Sequence, residues 1–246
     1  MFLLSPDNYE IKETKKKGKG VFAKKNIRSG VILGDYIGTV IKTAEDFLPD
    51  DKESFYLLYY HDQASIFPDL KKPGIHLLNH SCAPNCWMYT YRGHTLFFSL
   101  RNIFKGEEIT ISYLLSPQEP YCKNCTHLCS CGHLFCTKSF HLSQKRYASW
   151  SAFHEKQSQE TKRMRIHYGK VLPKLSTYPK RIPDNPIYTL FGAEHIDPFI
   201  LQNTSLPSIS EIRRTIRQTG KTLYLPFLNI KIHGILENKI ISNPYS

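Results

Sequence analysis

Asn79-His80-Ser81-Cys82-Ala83-Pro84-Asn85-Cys86 is the stretch whose surroundings decide how this chain is read. It is polar, carries a proline and sits between apolar runs. By itself it describes a turn, with asparagine and serine side chains bonding their own backbone. Upstream lies Lys17-Gly18-Lys19-Gly20-Val21-Phe22. A lone Gly-x-Gly is ordinarily a flexible turn, and neither the longer dinucleotide pattern nor a phosphate loop is present. Downstream, Lys105-Gly106-Glu107-Glu108-Ile109-Thr110-Ile111-Ser112-Tyr113 reads as a turn and a strand ending in tyrosine.

Beyond that strand the chain turns cysteine-rich: residues 122–136 hold five of its seven cysteines. Cys129-x-Cys131 followed by Cys136 is the strongest local signal. Thiolates are soft ligands, and close pairs on a loop bring sulfurs to one zinc ion at little backbone cost. Three cysteines leave a tetrahedron incomplete. On the residues alone the fourth ligand is open among Cys82, Cys86, Cys122, Cys125, His127 and His133. The alternative reading is a group of buried free thiols. No basic start followed by a long apolar stretch opens the chain, so no signal peptide is expected. No apolar run reaches the length of a spanning helix, so no membrane is expected either. A reducing compartment follows, where clustered cysteines mean metal more often than disulfides.

The chain is 246 residues long, 41% hydrophobic and 22% charged, enough to bury a core and unlike a disordered composition. Its formal net charge of +12 suits nucleic acid, an anionic membrane or an acidic protein surface, against the plain alternative of a basic solvated surface. The first third reads as short strands: Val21-Phe22-Ala23, a longer run from Val31 to Lys42, and Phe55 to Tyr60. Thr95 to Leu100 and Glu108 to Tyr113 continue the series. Thr43 with Glu45 and Asp46 has the pattern of a short helix start. After His141 the character changes. Residues 141–181 carry ten Lys or Arg and two acids. A helix is expected around 142–165, then prolines at 173, 179, 183 and 186 break the chain. Ser208 and Glu211 have capping-box spacing ahead of Ile209, Ile212 and Ile216, with Gly220 as the stop. Leu223 to Ile241 is apolar and strand-like.

Taken together and in this order, the segments resemble the SET-domain protein lysine methyltransferases, over about residues 12–141. Gly18-Lys19-Gly20 matches the opening of that domain, Tyr36-Ile37-Gly38 its next strand, and the Asn79 segment its most specific motif. The Gly106 to Tyr113 strand and the Cys129, Cys131 and Cys136 cluster, similar to the post-SET zinc loop, complete the series. The resemblance implies a mainly β fold of small sheets with a knot-like crossing that brings 79–85 beside 108–113. A C-terminal α+β extension follows. The expected division is a SET domain at 1–145, with the zinc loop at about 117–141, and a basic region at 146–246.

The same resemblance implies an S-adenosylmethionine-dependent protein-lysine N-methyltransferase acting on a histone or nucleosome. Tyr113 and Tyr36 are its catalytic candidates. Gly18, Lys19, Gly20, Phe22, Asn79, His80 and Phe140 are its donor-binding candidates. Cys82 joins Cys129, Cys131 and Cys136 as zinc ligands, leaving Cys86, Cys122 and Cys125 over. Two departures stand out. His76-Leu77-Leu78 precede Asn79 where the family usually has Arg-Phe-x, and Ile111 stands where many members carry an aromatic residue. Neither Ile111 nor Met88 offers a hydroxyl to limit the number of methyls. Residues 141–181 could hold nucleic acid by phosphate neutralisation, or simply be a solvated face. The expected location is the nucleus or cytoplasm, or a host nucleus for a microbial effector. The competing readings are an inactive SET-like interaction module and a zinc-dependent nucleic-acid-binding protein.

Overall fold

The computed structural model describes residues 1–28, 30–42, 52–61, 64–82, 84–100, 102–118, 127–132, 136–144, 147–148, 151 and 169–181, and the backbone of 223–225, 230–236 and 239–243. The expected helix start at Thr43, the capping-box helix at 208–220, Cys122, Cys125 and His133 lie outside these residues. Of the helix expected at 142–165, the described part includes an i to i−4 bond from Tyr147 N–H to the Ser143 carbonyl, 2.9 Å.

The fold is mainly β, built from small sheets. β1 (Tyr9–Thr14) and β2 (Gly18–Ala23) form a hairpin. Its turn is closed by the Thr14 hydroxyl, which donates to the Gly18 carbonyl at 2.8 Å and accepts from Lys17 N–H at 2.9 Å. Gly18, at φ +66°, supplies the left-handed residue that ends this turn. The run from Val31 to Lys42 is two strands, not one: β3 (Ile32–Asp35) and β4 (Thr39–Lys42). Between them Gly38 makes the corner. A Cβ there would stand 2.0 Å from the Phe67 carbonyl oxygen, so only glycine admits that approach. The run from Phe55 also divides, into a 3₁₀ turn at Lys52–Tyr56 and β5 (Leu58–His61). β6 (Ala64–Phe67) completes a sheet of order β4-β6-β5.

β7 (Asn79–His80) is followed by the hairpin of β8 (Cys86–Tyr91) and β9 (His94–Ser99). Its two-residue turn has Arg92 and Gly93 both at positive φ, the twist that a tight hairpin requires. β3, β9 and β8 form the second three-stranded sheet. β10 (Glu108–Ile111) then threads between β2, which it meets antiparallel, and β7, which it meets in parallel. The expected crossing of 79–85 beside 108–113 is therefore present. Asn85, 2% exposed, cements it: its Nδ2 donates to the Glu108 carbonyl and its Oδ1 accepts from Thr110 N–H, both at 2.8 Å. One core of Val21, Leu33, Val40, Ile66, Ile75, Leu78, Phe97, Ile103 and Ile109 runs between the sheets.

The region expected to begin at residue 146 contributes to the packing of the first part. Residues 169–181 run back over the first part as a strap. Gly169 N–H donates to Val40 O and Val40 N–H to Lys170 O, while Leu172 N–H donates to Gly38 O. Ile32 N–H donates to Lys180 O. Leu172 is 2% exposed within the same core. Residues 1–4 already line β3, with Leu3 N–H donating to Leu33 O and Asp35 N–H to Met1 O, so the strap chiefly closes the edge of β4, with Leu172 as its apolar anchor. Farther on, β11 (Leu223–Leu225), β12 (Ile230–Leu236) and β13 (Lys239–Asn243) pair as a separate antiparallel sheet.

Candidate active site

The crossing puts the end of β10 against β7, and Tyr113 follows two residues after β10. Its backbone N–H donates to His80 Nδ1 at 3.1 Å. That nitrogen therefore accepts, and the imidazole proton belongs on Nε2, which faces the Cys82 sulfur at 3.5 Å. Burial pushes the His80 pKa down to about 4, so the ring is neutral at pH 7. His80, Tyr113 and Phe140 form an aromatic triangle with centroids 4.8 to 5.3 Å apart.

Two cavities meet at Tyr113. The first, about 350 Å³, is lined by Lys17, Gly18, Lys19, Asn79, His80 and Phe140 among others. The second, about 300 Å³, is mostly apolar, with Tyr36, Leu58, Ile75, Leu78, Met88 and Ile111 on its walls. Tyr113, His76 and Phe55 line both. Burial pushes the Tyr113 hydroxyl up to about 12 and holds Tyr36 well above the ordinary tyrosine range. Both are neutral phenols at pH 7: Tyr113 O–H donates to the Leu78 carbonyl at 3.4 Å and Tyr36 O–H to the Tyr56 carbonyl. His76, where the family usually has arginine, is lowered to about 4 by burial and meets Tyr56 edge-on. The shared wall thus carries no positive charge at pH 7.

Of the expected donor-binding residues, Gly18, Lys19, Asn79, His80 and Phe140 line the first cavity. Gly20 and Phe22 do not. Gly20 instead makes room for the site: a Cβ there would lie 2.7 Å from Glu108 Oε1 and 2.8 Å from Asn79 Nδ2. Phe22 lies under the Lys12 ammonium, 5.5 Å from its ring centre. Tyr36 lies in the second cavity with Tyr113. Sequence reasoning missed Phe55, Tyr56, His76 and Leu128. No local motif marks the two aromatics, which arrive on the 3₁₀ turn at Lys52–Tyr56. It also missed Lys17 and Glu108, though both stand inside quoted motifs.

Cys82, Cys129, Cys131 and Cys136 converge, their four sulfurs all within 4.8 Å of one another. Cys82 lies 3.6 Å from Cys129 and 3.9 Å from Cys136. Tetrahedral zinc at its usual thiolate distance would set sulfurs about 3.8 Å apart, so the quartet fits structural zinc. Burial drives the Cys129 thiol up to about 12, and its neighbour Cys131 with burial drives Cys82 higher still. A cation at the centre would offset the mutual repulsion of thiolates held this close. Cys86 is buried in the core, away from this group.

Residues 18–114 match the family model described as SET domain. A variant-silencing SET domain-containing protein of Plasmodium falciparum (isolate 3D7) is 34% identical over 118 residues, 42% of this chain and 5% of that protein. Human histone-lysine N-methyltransferase 2B is 29% identical over 133 residues, 49% of this chain and 5% of that protein. The H3 lysine-36 specific histone-lysine N-methyltransferase of Cryptococcus neoformans var. neoformans serotype D (strain JEC21 / ATCC MYA-565) is 32% identical over 117 residues, 43% of this chain and 14% of that protein. The chain thus spans 5% to 14% of these relatives' length. A crystal structure of KRYPTONITE in complex with mCHH DNA, H3(1-15) peptide and SAH superposes with TM-score 0.44 at 26% identity. It covers 54% of this chain and 29% of that one.

Proposed function

We propose that this chain, whose residues 18–114 are a SET domain, transfers a methyl group from S-adenosylmethionine to a lysine of another protein, a histone in the first instance. The observation that carries this reading is Tyr113 at the junction of two cavities, one edged by Lys17, Lys19 and Asn79 and the other walled mostly by apolar side chains. The donor belongs in the first, with its reactive end toward Tyr113. The lysine belongs in the second.

Free lysine, with a pKa near 10.4, is charged at pH 7, and supplying the neutral amine costs about 4–5 kcal/mol. The apolar walls of Leu58, Leu78, Met88 and Ile111 disfavour the ammonium. Tyr36 and Tyr113 then offer phenolic oxygens to orient the amine in line with the methyl. Tyr113 is too weakly acidic to ionise near neutrality, so it positions and polarises without acting as a base. The absence of hydroxyls at Met88 and Ile111 favours addition of more than one methyl. Zinc at Cys82, Cys129, Cys131 and Cys136 is structural: it ties the central motif to the loop that delivers Phe140.

The H3-directed activity named for the Cryptococcus relative supports a histone acceptor and action in the nucleus. Lys170, Lys174, Lys180 and Arg181 on the strap are exposed, which supports contact with the DNA of a nucleosome. No helix among the described residues is long and apolar enough to cross a membrane.

The test is transfer of labelled methyl to free histones, nucleosomes and a cell lysate, with Tyr113→Phe as control. Label on a histone band that disappears in the variant supports the reading in full. Label on another lysate protein alone removes the histone. No transfer to any acceptor removes catalysis and favours a SET-like interaction module.

A further inference from the structure

Glu108 stands outside both the motif roles and the cavity linings, yet it governs the polar edge of the first cavity. Its Oε1 accepts from Asn79 Nδ2 at 2.8 Å, and its Oε2 pairs with the Lys17 ammonium. Asn79 Nδ2 also donates to the Lys19 carbonyl at 3.1 Å. A carboxylate oxygen and a backbone carbonyl can only accept, so the amide nitrogen must lie on that side. The Asn79 carbonyl oxygen is thereby turned away from Glu108, as an acceptor. The same carboxylate holds the Lys17 ammonium at the cavity wall. Both members of that pair are about four-fifths buried, with side-chain exposures of 20% and 19%. Gly20 supplies the space: no larger residue leaves room for Glu108 Oε1 and Asn79 Nδ2 above β2.

We infer that Glu108 is the positioning residue of the donor cavity, an inference that rests on the methyltransferase reading. It sets the direction of the Asn79 amide and anchors Lys17. One face of the cavity then offers an oxygen acceptor for the donor's α-ammonium, and another a cation for its α-carboxylate. Without Glu108 the amide loses one of its two acceptors, and Lys17 loses its anchor.

The experiment is calorimetry with S-adenosylhomocysteine on the full chain, followed by steady-state kinetics. Glu108→Asp keeps the charge but draws the carboxylate back by one methylene. Glu108→Gln keeps an oxygen for Asn79 but loses the ion pair. Glu108→Ala removes both. Binding is expected to weaken at least tenfold in Glu108→Asp and Glu108→Ala, which give up the Asn79 contact, and three- to tenfold in Glu108→Gln, which gives up only the Lys17 anchor. The donor KM should rise in parallel, while kcat and the acceptor KM stay within threefold of wild type. A purely structural role would lower the melting temperature and zinc content without that split.

Should Glu108→Ala fail to fold, Glu108→Asp carries the test. Donor affinity within twofold of wild type in a folded Asp or Ala variant overturns the inference and leaves the methyltransferase reading standing. Failure of the wild-type chain to bind S-adenosylhomocysteine overturns the donor assignment of the cavity, and this inference with it.

Discussion

Tyr113 donates its backbone N–H to His80 Nδ1 at 3.1 Å, and the two rings meet edge to face with centroids 5.3 Å apart. The bond fixes the ring that joins the catalytic crossing to the cysteine cluster, and it uses the tyrosine's backbone, not its hydroxyl. Tyr113→Phe therefore keeps this contact and the aromatic triangle with Phe140. Methyl transfer is expected to fall roughly 10²-fold, the scale of lost positioning at a reacting centre. Affinity for S-adenosylhomocysteine should not change. Single-turnover kinetics beside calorimetry separates the two, and wild-type turnover would remove the Tyr113 hydroxyl from the mechanism.

The pH dependence follows from burial of that phenol. Its folded pKa is raised from 10 to about 12, so the folded state holds the proton more tightly than the unfolded chain. The stability this contributes is fully present below pH 10 and is lost as pH rises through 12. Between pH 7 and 9 the rate should climb as the lysine acceptor deprotonates, with no inflection from Tyr113. A pH–rate profile that falls above pH 8 in a fully folded enzyme would contradict this.

Gly20→Ala places a Cβ into the Asn79–Glu108 contact, at 2.7 and 2.8 Å from their side-chain atoms. Those atoms are side-chain ends and can move, but only by giving up their bond. A stability loss of about 1–3 kcal/mol is expected from the overpacking. A larger proportional loss should appear in S-adenosylhomocysteine binding, read by calorimetry against a melting curve. Unchanged binding would show that the donor site does not depend on this contact.

Metal analysis of the purified chain is expected to return about one zinc per molecule, and Cys131→Ser should lose it. The Cys82 thiol is driven up by its neighbour Cys131 and by burial, and the Cys129 thiol by burial and by Cys131, so binding must displace protons and retention should weaken as pH falls. A chelator should lower the melting temperature and, by releasing Phe140 from His80 and Tyr113, abolish transfer. Metal-free protein with full activity would sink the zinc assignment.

Leu172→Ala is expected to cost about 2–5 kcal/mol, the penalty of a core truncation, although its immediate neighbours Val171 and Pro173 are exposed. A chain ending at residue 168 should be less stable still, since it also opens the edge of β4. Chemical denaturation of both variants measures the difference. An unchanged midpoint would mean that the strap is dispensable.

Much of the site was legible before any fold was known. The Asn79 segment, the Gly18 turn, the strand to Tyr113 and the cysteine cluster carry unusual residues at fixed short spacings, and such spacings survive as local geometry. What stayed hidden came from elsewhere in the chain. Gly20 read as a donor contact, but its position opposite Glu108 and Asn79 exists only once β1, β2, β10 and β7 lie side by side. Phe55 and Tyr56 sit in an unremarkable run and matter because the 3₁₀ turn carries Phe55 to both cavities and Tyr56 to the first.

The amino-acid sequence by itself determined the chemistry available: a tyrosine after a strand, an Asn-His pair, glycines at a close approach, and thiols enough for one zinc. Tertiary structure alone decided which of these meet, and it drew 169–181 into the first part of the chain. Leu172 shows why. It stands next to exposed Val171 with no periodicity to tell which of the two is buried, and its burial depends on the edge of β4 and on core residues far away in sequence.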